Sequence, residues 1–193
     1  MYLNDNTYEY LKKRCVALLE HCHVDDFPYY VYKVALKFAD RIIPYSKLKG
    51  KPNGYAKAMA MSKDGFTLQM DDGRWRIYYN DDNNIPRCRF TLMHEVGHIW
   101  LGHNQSTEVT ESSADFFARY CLVPPAIVHH FHCKNEQEIA SHFWISDEAA
   151  YYAWEHYISW LNRRVADLSE PDKGLCRLLH IQTDGKKHKE GIM

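Results

Sequence analysis

A chain of 193 residues, 46% hydrophobic and 14% aromatic with charge spread throughout, has apolar material for one ordinary core and little room for a second domain. Its formal net charge of -1 with scattered Lys and Arg lacks the basic footprint of a nucleic-acid binder, which leaves a protein or peptide as the expected partner. Six widely spaced cysteines without a CxxC pair, no apolar leader in "MYLNDNTYEYLKKR" and no run of about 18 apolar residues point to free thiols in a reducing cytoplasm and no membrane span.

In chain order, "NTYEYLKKRCVALLEHC" places Leu11, Cys15, Leu18 and Cys22 at helical spacing with polar residues between, an amphipathic first helix. A second helix is expected from near Pro28, with Asp26 as N-cap, through "YYVYKVALKFAD". From Ile42 to Asn80 the pattern turns to short runs punctuated by "KPNG", "KDG" and "DDG". Asp-Gly between apolar runs signals a hairpin, so "KAMAMS", "FTLQM" and "RWRIYYN" read as an antiparallel meander. Pro86 opens a helix that Gly102 closes; "ESSADFFARYCL" forms another, stopped by Pro124 and Pro125. After "AIVHHFH" come two helical runs, "NEQEIASHF" and "SDEAAYYAWEHYISWLNRRV", with capping signals at Asn135, Glu138 and Ser146. From Ser169 the chain is polar and aperiodic and reads as a loose tail. The expected division is a single domain over 1–168, with an active-site core at about 30–125 and a helical region at about 126–168, followed by the tail 169–193.

The stretch "FTLMHEVGHIWLGH", Phe90 to His103, carries the chemistry. On a helix, His94 and His98 lie about 40° apart in azimuth and roughly 6 Å along the axis, so both imidazoles can converge on one ion. Glu95, offset by about 100°, can approach water beside that ion without ligating it. In a chain with 12 histidines a shuffle yields HExxH about 4 times in 100, so the letters need their context. That context is an apolar side made by Leu92, Val96 and Ile99, and a close-approach residue at Gly97. A catalytic zinc takes a third protein ligand. Glu111 is favoured because Asp115, four residues on, can accept the other N–H of a ligating histidine. Glu108 and His103 remain alternatives, although His103 fails the metzincin spacing HExxHxxGxxH by one residue.

"RFTLMHEVGHIWLGH" followed by "ESSADFFARYCLVPP" resembles the ImmA/IrrE family of zinc metallopeptidases, whose second segment has the form ExxA(D/N)xFAxxLLMP; Ser113 stands at a frequent Glu, and "CLVPP" replaces "LLMP". The resemblance covers roughly residues 30 to 160, with specific motifs from about 87 to 125. It implies Zn2+ held by His94, His98 and Glu111, Glu95 as catalytic base, and Asp115 at the family's Asp/Asn position. It also implies a cytoplasmic, bacterial or mobile-element protein that cleaves a helix-turn-helix repressor. The fold class expected is α+β, a helical zincin-like domain with a small antiparallel three-stranded sheet and a C-terminal helical region. The strand "RWRIYYN" is expected to offer its edge to an extended substrate, with Trp75, Ile77, Tyr78 and Tyr79 as candidate contacts.

Two other features read blandly. "EQEIASHFWISDEAAYYAWEHY" could be a DNA-reading helix pair, but Ser146 to Tyr157 holds no Lys or Arg and includes Asp147, Glu148 and Glu155, which phosphates would repel. The clusters "HCH" and "HHFHC" lack the paired ligand spacing of a structural zinc site.

Overall fold

The computed structural model describes residues 3–163 and 168–181. The first helix, α1 (Asp5–His21), is capped by Asn4, whose side chain accepts from the Thr7 amide, and it buries Leu11, Cys15, Leu18 and Leu19. The second, α2 (Val31–Ala35), is shorter than expected: Tyr30 is its N-cap without a side-chain bond. Asp26 instead accepts from the neighbouring Phe27 amide. β-Branched and aromatic residues give "YYVYKVALKFAD" little helical drive beyond one buried face.

The sheet departs most from expectation. Its strands are β1 (Arg41–Pro44), β2 (Gly65–Gln69) and β3 (Trp75–Tyr79), ordered β1-β3-β2. β3 is central; β1 pairs with it in parallel, Ile42 opposite Ile77, and β2 pairs antiparallel, Thr67 opposite Ile77. The sheet is therefore mixed. "KAMAMS" is not a strand but most of helix α3 (Gly54–Met61), because Ala, Met and Lys prefer helix and nothing in their pattern alternates. The "DDG" hairpin does form: Gly73 has φ 80°, and the Met70 amide donates to the Arg74 carbonyl at 2.8 Å. Gly65 serves close approach and not a hairpin. A Cβ there would lie 2.5 Å from Thr91 Cγ2 and 2.8 Å from the Tyr78 carbonyl, so its absence lets β2 press against the next helix.

That helix, α4 (Ile85–Leu101), starts on an Asn84 cap with Pro86 in its first turn, ends at Gly102 in the left-handed region (φ 72°), and buries Leu92, Met93 and Val96. α5 (Glu108–Leu122) begins three residues before the expected Glu111, on a Thr107 N-cap with a reciprocal Thr107–Thr110 capping pair. The two pack face to face, while α4 also touches α2, β2 and β3. The remaining helices are α6 (Pro125–His130), α7 (Glu136–Phe143) and α8 (Asp147–Arg163); α8 leans on α6 and α7. Arg89, buried in α4, donates to the Tyr29 and Phe143 carbonyls and so ties the first loop and the end of α7 to α4.

The expected loose tail is structured where described. α9 (Glu170–Leu178), capped by Ser169, packs on α1 and α6 with Leu175 fully buried. Asp172 accepts from Trp160 Nε1 at 3.0 Å and from the Tyr120 hydroxyl. The rest of the tail, 182–193, lies outside the described residues. All six cysteines are free thiols. Among the described residues no helix is long and apolar enough to cross a membrane.

Candidate metal centre

α4 and α5 meet at Gly97, where an added Cβ would stand 3.0 Å from Phe117 Cδ1 and 3.6 Å from Ala114 Cα. This closeness carries Glu111 and Asp115 on α5 up to the histidines of α4. Among the described residues, His94, His98 and Glu111 form the one His/Cys/Asp/Glu group with ligand atoms close enough to share an ion. The His94 and His98 Nε2 atoms are 2.9 Å apart, and Glu111 Oε2 lies 3.3 Å from the first and 3.6 Å from the second. Three ligands of a tetrahedral zinc, at bonds of about 2.0–2.1 Å, are separated by about 3.3 Å. The triangle has the size of one face of that tetrahedron, and its donor set, two imidazoles and a carboxylate, suits the same ion.

Each of the three candidate ligands is held from behind. Asp115 Oδ1 lies 2.9 Å from His94 Nδ1, which puts the imidazole proton there and leaves Nε2 free to ligate. Ser106 donates to Glu111 Oε1 at 2.7 Å, leaving Oε2 toward the histidines. His98 Nδ1 faces Nδ1 of His103 at 3.0 Å. His103 itself lines the cleft but is not one of the converging donors. Glu108 does not join that group either.

The electrostatics divide the two histidines. Burial opposes charge on both, but at His94 the Asp115 bond and the carboxylates of Glu95, Asp115 and Glu111 outweigh it, and the pKa rises. At His98 burial and the neighbouring His94 push it down to about 4, so this imidazole is neutral at pH 7 with a lone pair available. Burial would raise Glu111 and Asp115, yet the Ser106 bond and the imidazoles hold Glu111 low, and His94 with nearby arginines holds Asp115 low. Glu95 is different. Burial raises its pKa, only partly opposed by the hydrogen bond from Thr67 and by His94, the direction expected of a carboxylate poised to accept a proton.

These side chains floor a cleft of about 860 Å³, bounded by β2, Met61, Trp75, Phe90 and the loop from His103 to Ser106. Thr67, on β2, donates to Glu95 Oε2 at 2.5 Å. Of the four candidate substrate contacts only Trp75 reaches the cleft. Ile77 is fully buried, Tyr78 stacks on Phe66 in a small cluster with Tyr45, and Tyr79 packs against the main core. Nor can β3 lend an edge, because strands flank it on both sides; the edge along the cleft belongs to β2. Thr67, Ser106 and the His98–His103 contact were not legible as site features, since each depends on where a partner lies across the fold.

The sequence model of the IrrE N-terminal-like domain, peptidase family M78, matches residues 54–168, more than half of the chain. The chain belongs to that family. The match spans the HExxH helix, the Glu111 helix and the cleft strand together, and membership makes the site that of a metallopeptidase family. No curated protein and no solved structure matches the chain.

Proposed function

We propose that this IrrE-like chain is a zinc-dependent endopeptidase that hydrolyses a peptide bond in a protein substrate, a helix-turn-helix transcriptional repressor of a mobile element or stress regulon. The observation that carries the catalytic part is the His94–His98–Glu111 triangle, whose edges of 2.9, 3.3 and 3.6 Å fit one tetrahedral ion beside a buried glutamate. The choice of a repressor rests on the resemblance of the two motif segments, and the cytoplasm on the free thiols.

Zinc bound by these three side chains would polarise a peptide carbonyl and make water more acidic at neutral pH. Glu95 takes the proton of the attacking water. Thr67 engages its Oε2, so Oε1 receives the proton and then delivers it to the departing amine. Asp115 keeps the His94 proton on Nδ1 throughout. An extended substrate adds to the edge of β2, its backbone bonding to that strand while side chains meet Met61, Leu68 and Trp75.

Glu95→Gln removes the base and keeps the ligands. The variant is expected to retain zinc by mass spectrometry and to lose cleavage of a helix-turn-helix repressor; wild type treated with chelator should lose that cleavage too. Cleavage by Glu95→Gln at the wild-type rate would remove Glu95 from the role. An intact repressor with zinc-loaded wild type would remove the substrate while leaving the metal site standing.

A further inference from the structure

His98 has two ring nitrogens with different partners. Nε2 faces His94 Nε2 and Glu111, and Nδ1 lies 3.0 Å from His103 Nδ1. Two imidazole nitrogens at that distance share one proton, so one donates and the other accepts. A ligating Nε2 must keep its lone pair, which puts the His98 proton on Nδ1. His103 then accepts on Nδ1 and carries its own proton on Nε2.

The backbone builds this contact. Gly102 turns left-handed after α4, its amide donates to the Ile99 carbonyl at 3.2 Å, and the His103 amide donates to the His98 carbonyl at 3.0 Å. This paired closure folds the chain back over the last turn, setting the ring of residue 103 edge-on to the ring of residue 98, with centroids 5.0 Å apart. The same short loop continues to Ser106, which holds Glu111. One turn thus reaches two of the three donors.

We infer that His103 is a positioning residue of the metal centre: its Nδ1 accepts the His98 Nδ1–H and fixes the tautomer and ring plane of that ligand, as Asp115 does for His94. The inference rests on the metallopeptidase reading. It makes the centre asymmetric, with one histidine backed by a carboxylate and the other by a neutral ring.

The test uses the full chain, with zinc affinity measured by competition against a chromophoric chelator. His103→Leu, which keeps bulk but cannot accept, is expected to bind zinc about 10–100-fold more weakly with an unchanged far-UV circular dichroism spectrum. His103→Gln, whose amide oxygen can accept, should recover most of that loss. Imidazole nitrogen–proton NMR correlations of the zinc-loaded wild type should show His98 protonated on Nδ1, a readout that needs no variant to fold. His98 protonated on Nε2, or His103→Leu binding zinc within twofold of wild type, would overturn the inference alone. A wild-type chain that binds no zinc would overturn the metallopeptidase reading and this inference with it.

Discussion

Gly97→Ala sets two effects against each other. In a helix interior the substitution stabilises by about 1 kcal/mol through propensity. Against that, the new Cβ would meet Phe117 Cδ1 at 3.0 Å and Cγ at 3.5 Å, where comfortable carbon contacts are about 3.5–4.0 Å. Phe117 and Ala114 are both fully buried, so the ring or all of α5 must retreat by about half an ångström, at an overpacking cost of about 1–3 kcal/mol. The net is a loss of about 0–2 kcal/mol, modest for stability. Zinc affinity should suffer more. Glu111 and Asp115 ride on α5, and metal sites tolerate ligand displacements of only about 0.2 Å, so binding should weaken about tenfold or more. Urea unfolding of the metal-free variant gives the first quantity and chelator competition the second. A variant stabilised by the full propensity gain that also binds zinc like wild type would show that the α4–α5 spacing is not set at Gly97.

Two further outcomes follow from the cleft and its surroundings. Thr67→Val removes the hydrogen bond to the Glu95 carboxylate, a contact to a charged group of about 1.5–3 kcal/mol; kcat should fall about tenfold or more with zinc content and KM unchanged, and Thr67→Ser should restore it. Equal kcat in Thr67→Val and wild type would sever Thr67 from the base. Tyr45 is fully buried, and burial, then the charges of Glu95 and Asp64, push its phenol up to about 12. A folded pKa above the unfolded value near 10 gives stability that is complete below pH 10 and drains as pH rises through 12. At pH 11 this amounts to about 1.4 kcal/mol, and Tyr45→Phe should lose that much less between pH 9 and pH 11. Parallel losses in the two proteins would assign the alkaline sensitivity to other buried groups.

What the sequence disclosed and what it withheld separate along physical lines. α4 was legible because every signal for it is local: the proline in its first turn, the glycine at its end, and the apolar positions between. The spacing of His94, Glu95 and His98 becomes geometry through the helical period alone, and so does the spacing of Glu111 and Asp115. β1 was missed because its partner strand lies 35 positions away in register, Arg41 opposite Arg76, with no turn residue to announce a parallel pairing. Without β1 the sequence presents β3 as an edge strand, whereas the fold flanks it on both sides and turns Ile77, Tyr78 and Tyr79 away from the cleft. The α9 helix reads as tail in the sequence because two residues of its buried face, Asp172 and Gly174, count as polar or neutral in any periodicity. Asp172 is buried because Trp160 and Tyr120 donate to it, and Gly174 because a Cβ would lie 2.7 Å from Val16 Cγ1.

The same division runs through the site itself. Ligands are recognisable by type and interval, since few side chains bind zinc and a helix fixes their relative directions. The groups that orient them are not: a threonine on β2, a serine in a loop and a histidine beyond a glycine are ordinary residues until the fold supplies a partner. Asp115 is the exception because it shares a helix with Glu111, and its contact with His94 inherits that helix's period. His103 shows why the rest resist reading. As a ligand it is misplaced by one residue for the longer zinc motif, yet that displacement lets the Gly102 turn bring its ring against the back of His98 instead of into the His94–His98–Glu111 triangle. The residue that fails the ligand pattern is therefore placed, by the same failure, where a ligand needs support.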